Sequence, residues 1–279
     1  MDTFILSAAN VRVPRILYGT AWKKSETARL VGTAIRQGFR GIDTACQPKH
    51  YDEAGVGEGV AGSLGDALAR EDLYLQTKFT SADGQDPKRI PYDPTLPLSE
   101  QVARSFAASL RNLRTSYLDC LVLHSPLPSP RQTLEVWRAM ESLVSGGGVR
   151  QLGISNRYDL GELKALSDAA RVGPSVVQNR LYAETGYDRE IRAFCRERRI
   201  IYQSFWTLSA NPDVLGHGTV TALASKYGRT AAQILFRYLT QRGVVPLTGT
   251  RSENHMREDL AIFEFALGEF ELDAVDALL

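Results

Sequence analysis

The feature that most constrains this chain is a repeat of form, not of residues: a short apolar run, then a segment with helical periodicity, eight times over. The runs fall at residues 16–19, 41–43, 73–77, 118–124, 149–155, 175–179, 200–205 and 244–248. Several are continuously apolar, as in Leu121-Val122-Leu123, which suits parallel strands buried on both faces. The intervening segments read as helices. Residues 26–37 follow Ser25 as a candidate N-cap, and residues 99–114 place Val102, Phe106, Ser109, Leu110 and Leu113 on one face. Segments 131–145, 160–170, 188–198 and 230–241 behave similarly, with shorter pieces at 254–261 and 271–278.

Eight alternations with no break in composition predict one α/β domain over residues 1–279, a single (β/α)8 or TIM barrel, with a doubly wound open sheet as the rival. Residues 3–14 precede the first barrel strand and are expected to form a short N-terminal hairpin under the barrel. Charge excludes some functions. Lys plus Arg is 33 and Asp plus Glu is 32, with no polybasic block, so neither nucleic acid nor a membrane surface is an expected partner. The three cysteines lack CxxC spacing, which argues against disulfides and structural zinc and for a cytoplasmic protein. The first residues lack a basic, then apolar, leader pattern, and no run reaches the ~20 apolar residues of a membrane span. The histidines are too scattered for a metal site.

Barrel active sites lie at the C-terminal ends of the strands. Here those ends carry Asp43, Lys78, His124, Ser155-Asn156 and Gln178-Asn179, polar residues closing apolar runs. Neighbouring strands lie ~4.8 Å apart, so Asp43 and Lys78 are placed to form an ion pair, with His124 one strand further round.

Several of these stretches resemble the signatures of the aldo-keto reductases. They are Gly38-Phe39-Arg40-Gly41-Ile42-Asp43-Thr44-Ala45, Leu75-Gln76-Thr77-Lys78, Leu121-Val122-Leu123-His124-Ser125-Pro126, Leu152-Gly153-Ile154-Ser155-Asn156 and Gly19-Thr20-Ala21-Trp22. The similarity runs along essentially the whole chain, in order. It implies a barrel that binds a nicotinamide cofactor without a Rossmann domain and reduces aldehydes and ketones to alcohols. It implies catalytic roles for Asp43, Lys78 and His124, and a proton-donating tyrosine. The family's usual tyrosine position is Pro48 here; a loop three residues longer brings Tyr51 into that role, with His50 as fallback. Lys78 would favour the phenolate and so make the phenol a better acid.

For the cofactor, the resemblance implies that Ser155, Asn156 and Gln178 hold the nicotinamide carboxamide and that Phe205 stacks where a tyrosine is usual. Gly19, Thr20 and Trp206 join them. After the last strand, Thr248, Gly249, Thr250 and Arg251, with His255, Glu258 and Asp259, would take the phosphates. Leu247 stands in place of a common lysine, and Asp259 in place of an asparagine. Arg251, His255 and Arg257 make NADPH the favoured cofactor, with NADH as the alternative. A small-molecule carbonyl substrate would lie against Trp22, Tyr51, His124 and Trp206. The proline-rich stretch 80–98 is a candidate wall or lid, and the short C-terminal end suggests an open pocket. Gly57-Glu58-Gly59-Val60-Ala61-Gly62 matches a dinucleotide fingerprint by pattern, but it does not follow a strand directly and is set aside. Two further readings stay open: a cofactor-binding regulatory partner with little turnover, and a barrel that has lost its activity.

Overall fold

The computed structural model describes residues 3–279. Eight parallel strands close into a barrel: β3 (Leu17–Gly19), β4 (Gly41–Asp43), β5 (Tyr74–Phe79), β6 (Cys120–Leu123), β7 (Leu152–Ser155), β8 (Val176–Arg180), β9 (Ile201–Phe205) and β10 (Val244–Thr248). The chain runs round the barrel in sequence order and β10 closes onto β3. The expected hairpin is present, with β1 (Phe4–Leu6) antiparallel to β2 (Arg12–Pro14). Its Val11 and Val13 join the interior cluster of Leu17, Tyr74, Cys120 and Ile201, so the hairpin plugs the N-terminal end. The larger apolar layer lies outside the strands, where Leu75, Phe79, Leu121 and Leu123 meet Leu30, Val102, Val136 and Trp137 of the surrounding helices.

Local chemistry explains most helix ends. Asp52, Ser129, Asp159, Thr230 and Ser252 each accept a backbone N–H at a helix N-terminus, satisfying a donor the helix leaves free. Ser25 does not. It sits inside a 3-10 turn (Lys24–Glu26), and the helix Thr27–Gln37 starts after it, with the Thr27 hydroxyl donating back to the Lys24 carbonyl. Three helices, Glu53–Ala61, Pro212–Gly216 and Gly218–Tyr227, have no counterpart in the periodicity reading. All are short, and the Gly and Pro in or beside them read as loop. Gly57 and Gly59 lie within the helix Glu53–Ala61. A Cβ on Gly57 would stand 2.0 Å from the Asn112 carbonyl oxygen, and one on Gly59 would stand 2.5 Å from that of Ala28. These glycines let neighbouring helices approach.

Candidate active site

At the C-terminal end of the barrel a cavity of about 600 Å³ is lined by residues from seven strand ends and the loops after them. Side chains alternate along a strand, so Tyr74, Gln76 and Lys78 of β5 share the inward face. Lys78 Nζ donates to Asp43 Oδ2 at 2.6 Å and to the Thr44 carbonyl at 2.8 Å. The other Asp43 oxygen accepts from Gln76 Nε2 at 2.7 Å and Gln178 Nε2 at 3.0 Å. Gln76 and Gln203 exchange a reciprocal pair of amide hydrogen bonds at 2.8 and 3.0 Å. A polar layer thus floors the cavity, and the Asp43 carboxylate has three donors. Burial is the largest influence on Lys78 and works to strip its proton, but the Asp43 charge and hydrogen bond together with Tyr51 outweigh it, and the ammonium is held above its ordinary range.

Tyr51 stands over this pair, with Lys78 Nζ 5.3 Å from its ring centre and the His124 ring 6.0 Å away, edge to face. Burial raises the Tyr51 phenol above its usual range, and Lys78 opposes this only in part. The expected acidification by Lys78 is therefore outweighed by desolvation in the ligand-free protein. The group remains a phenol at neutral pH, the form a donor needs. His124 is pulled down to about 3, by burial first and then by the Lys78 and His50 charges, so its ring is neutral. Its Nδ1 lies 2.7 Å from the Thr80 hydroxyl. His50 packs its ring on Trp22, 4.0 Å between centres.

Most residues named from sequence line this cavity: Gly19, Trp22, Asp43, Tyr51, His124, Ser155, Asn156, Gln178, Phe205, Trp206, Thr248 and Gly249. Thr20 does not. It is buried behind the wall, where its hydroxyl donates to the Asp43 carbonyl at 2.9 Å. A second groove of about 500 Å³ continues past Trp206, Leu247, Thr248 and Gly249 to Thr250, His255, Glu258 and Asp259. Arg251 reaches the other way, to the Glu26 carboxylate and the Trp22 carbonyl. Arg257 bonds Asn254 at 3.4 Å and lines neither groove. The stretch 80–98 also lines neither; it braces the loop that carries Tyr51. Gln85 Nε2 donates to the Cys46 carbonyl and Gln47 Nε2 to that of Gly84, while Tyr92 is buried against Phe79.

Sequence reading missed Lys23, Thr80, Arg180, Gln76 and Gln203. The two glutamines were findable, since each lies two residues from an inward-facing strand end. Lys23 is buried, donates to the Gly249 carbonyl, and is lowered to about 8 by burial and by Arg251. Three lining residues, Trp22, Asn156 and Trp206, hold positive φ of 63°, 55° and 54°. Such backbone costs about 1–3 kcal/mol per residue and gathers at functional sites.

A lysine paired with a buried carboxylate, a buried phenol and a neutral imidazole stand together beside a second groove, an arrangement chemically able to pass a proton to a small molecule. The Aldo/keto reductase family model matches residues 15–209 and 213–279. Similar proteins include the uncharacterised oxidoreductase YtbE of Bacillus subtilis (strain 168), 30% identical over 91% of this chain and 84% of the relative. Glyoxal reductase of the same organism is 30% identical over the same shares, and methylglyoxal reductase DkgA of Salmonella typhimurium is 27% identical over 92% and 86%. An aldo/keto reductase structure from Brucella melitensis superposes with a TM-score of 0.84 at 27% identity, over 99% of each chain. The chain therefore belongs to the aldo/keto reductase family of oxidoreductases.

Proposed function

We propose that this protein reduces a small aldehyde or ketone to the alcohol with NADPH, in the cytoplasm, and that Tyr51 is the proton donor. The observation that carries the reading is the convergence of Tyr51, the Asp43–Lys78 pair and His124 on one wall of the cavity. The reductases among its relatives, named for glyoxal and methylglyoxal, support a small carbonyl substrate. Two grooves meeting at Trp206 and residues 247–249 suit an elongated ligand, and each lies in the size range of ligand pockets.

A reduced nicotinamide, when bound, would supply the hydride that the carbonyl carbon takes up. As charge grows on the carbonyl oxygen, the Tyr51 phenol gives its proton there, and the Lys78 cation beside the ring stabilises the phenolate left behind. Asp43 keeps Lys78 charged and in place. His124 stays neutral throughout: Thr80 donates to Nδ1, which leaves Nε2–H to hydrogen-bond the carbonyl oxygen. Ser155, Asn156 and Gln178 hold the carboxamide. The Gln178 nitrogen is taken up by Asp43 and Gln203, so its carbonyl oxygen is the atom offered. Phe205 supplies the stacking face. Thr248, Gly249, Thr250, His255, Glu258 and Asp259 would line the phosphate side, and Arg251 would have to leave Glu26 to meet the extra phosphate of NADPH. Three buried, unpaired cysteines agree with a reducing compartment, and no helix among the described residues is long and apolar enough to cross a membrane.

The test is loss of reduced-nicotinamide absorbance with NADPH and NADH separately, over aromatic aldehydes, aliphatic aldehydes and diketones. The expected outcome is turnover with NADPH preferred. Tight cofactor binding without turnover on any carbonyl would replace this reading with that of a cofactor-binding partner protein. Equal affinity for NADPH and NADH would remove Arg251 and His255 from phosphate recognition.

A further inference from the structure

Arg180 closes β8 and lines the catalytic cavity, yet no carboxylate among the described residues pairs with it. Its guanidinium lies 4.2 Å over the Trp206 ring and 5.1 Å from that of Tyr182. Its Nε is buried without a hydrogen-bond partner. Two other arginines are spoken for, Arg157 after the neighbouring strand β7 by Glu162, and Arg251 after β10 by Glu26. The cavity as a whole is short of negative charge. Lys23, Lys78 and Arg180 stand at or just behind its wall against one carboxylate, Asp43, whose oxygens are already filled. A guanidinium held over an indole and unpaired with a carboxylate can turn its terminal N–H groups to one, through two parallel hydrogen bonds. Trp206 is held in left-handed backbone at φ 54°, so strain is spent on placing that platform.

We infer that Arg180 anchors an anionic group of the substrate, which makes the preferred substrates carbonyl compounds that also carry a carboxylate. The inference rests on the reductase reading, because it takes the carbonyl to lie beside Tyr51 and His124. It assigns the anion to the substrate and not to the cofactor phosphates, because Arg180 lines the cavity with Tyr51 and His124 and not the groove with Thr250 and His255.

The experiment compares 4-carboxybenzaldehyde with its methyl ester, and succinic semialdehyde with butanal, in wild type, Arg180→Met and Arg180→Lys. The wild type is expected to favour the acid of each pair in kcat/KM. The acid-to-neutral ratio should fall about tenfold to a hundredfold in Arg180→Met, the size of a lost charged hydrogen-bond pair, with partial retention in Arg180→Lys. A ratio that does not change, whether or not both rates fall, overturns the inference. So does a variant that loses only NADPH affinity, which would give Arg180 to the cofactor. Benzoate titrated into the NADP-loaded protein, followed by tryptophan fluorescence, needs no turnover. Binding that Arg180→Met abolishes, in a protein inert toward every aldehyde, would keep the anchor and remove the reductase reading. Turnover without preference for the acid would do the reverse.

Discussion

The two walls of the cavity are built on different principles. On the side of β4 to β6 the charged pair and the imidazole already have protein partners: Asp43 takes three donors, Lys78 two acceptors, and His124 the Thr80 hydroxyl. On the side of β9 and β10 the surface is aromatic faces, backbone and hydroxyls, with His255, Glu258 and Asp259 at its far end and Trp206 51% exposed. The first wall keeps its geometry without a ligand, as electrostatic preorganisation requires. The second is left for a ligand to complete. Substitutions on the first wall should therefore cut rate at nearly constant binding, and those on the second should change binding or stability at nearly constant chemistry.

Tyr51→Phe should show the largest effect. It removes the one proton donor, and general acid catalysis is worth about a hundredfold to ten-thousandfold. Steady-state kcat should fall by that much while NADPH titration is unchanged; near-normal turnover would sink the role of Tyr51. The pH profile sharpens the point. Burial holds the phenol above its ordinary value of ~10, so the donor stays protonated and the reductive rate should stay flat to about pH 9. A limb falling between pH 7 and 9 would mean that Lys78, and not burial, sets the phenol.

Lys78→Met comes next and strikes both rate and fold. Removing one partner of a buried ion pair leaves a charge uncompensated and costs about 3–5 kcal/mol. Urea denaturation should record that loss. The double variant Asp43→Asn with Lys78→Met should regain much of the stability and none of the rate, because no buried charge is left alone but the cation beside Tyr51 is still missing. Double and single variants of equal stability would show that Gln76 and Gln178 already satisfy Asp43 without the lysine.

How far the sequence could be read follows the same division. Asp43, Lys78 and His124 were legible because charged or titratable residues closing apolar strands have few structural uses, and the strand order alone brings them together. Tyr51 needed the family resemblance, since periodicity cannot align a loop with an insertion. The glutamine layer was within reach, because Gln76 shares the inward face of β5 with Lys78. The second wall was less legible. It works through backbone and stacking, and a one-dimensional pattern does not show that Arg251 turns to Glu26, that Thr20 is used up behind Asp43, or that Arg180 lies on Trp206. The helix Gly218–Tyr227 was lost for a local reason: glycines and a proline beside it read as turn.

Thr80→Val probes how the first wall holds its shape. The variant keeps the volume and removes the hydroxyl 2.7 Å from His124 Nδ1, the donor in the proposed tautomer. Loss of the tautomer that presents Nε2–H should lower kcat about fivefold to thirtyfold, the worth of one buried hydrogen bond, with KM for NADPH unmoved. Thr80→Ser should restore the rate, and the imidazole nitrogen shifts measured by NMR should show the proton leaving Nε2 in the valine variant alone. An equal loss in serine and valine would make Thr80 a packing residue.

Asp259→Asn should have the smallest effect on turnover and tests the second wall in the opposite sense, by stabilising the protein. Burial pushes the Asp259 carboxyl up to about 6 against the hydrogen bond from Thr248 and the His255 charge. The folded protein then keeps a proton that the unfolded chain releases near pH ~4. The associated stability is complete below that pH and is lost as pH rises through about 6. Asparagine cannot ionise and still accepts from the Thr248 hydroxyl, so at pH 7 it should be more stable by about 1–3 kcal/mol, seen as a Tm a few degrees higher. Its stability should also lose the slope between about pH 4 and 6. Removing a negative charge from the groove should leave NADPH affinity equal or stronger. A weaker affinity would mean that the carboxylate itself contacts the cofactor, and the second wall would then be prearranged for its ligand in the way the first is for its chemistry.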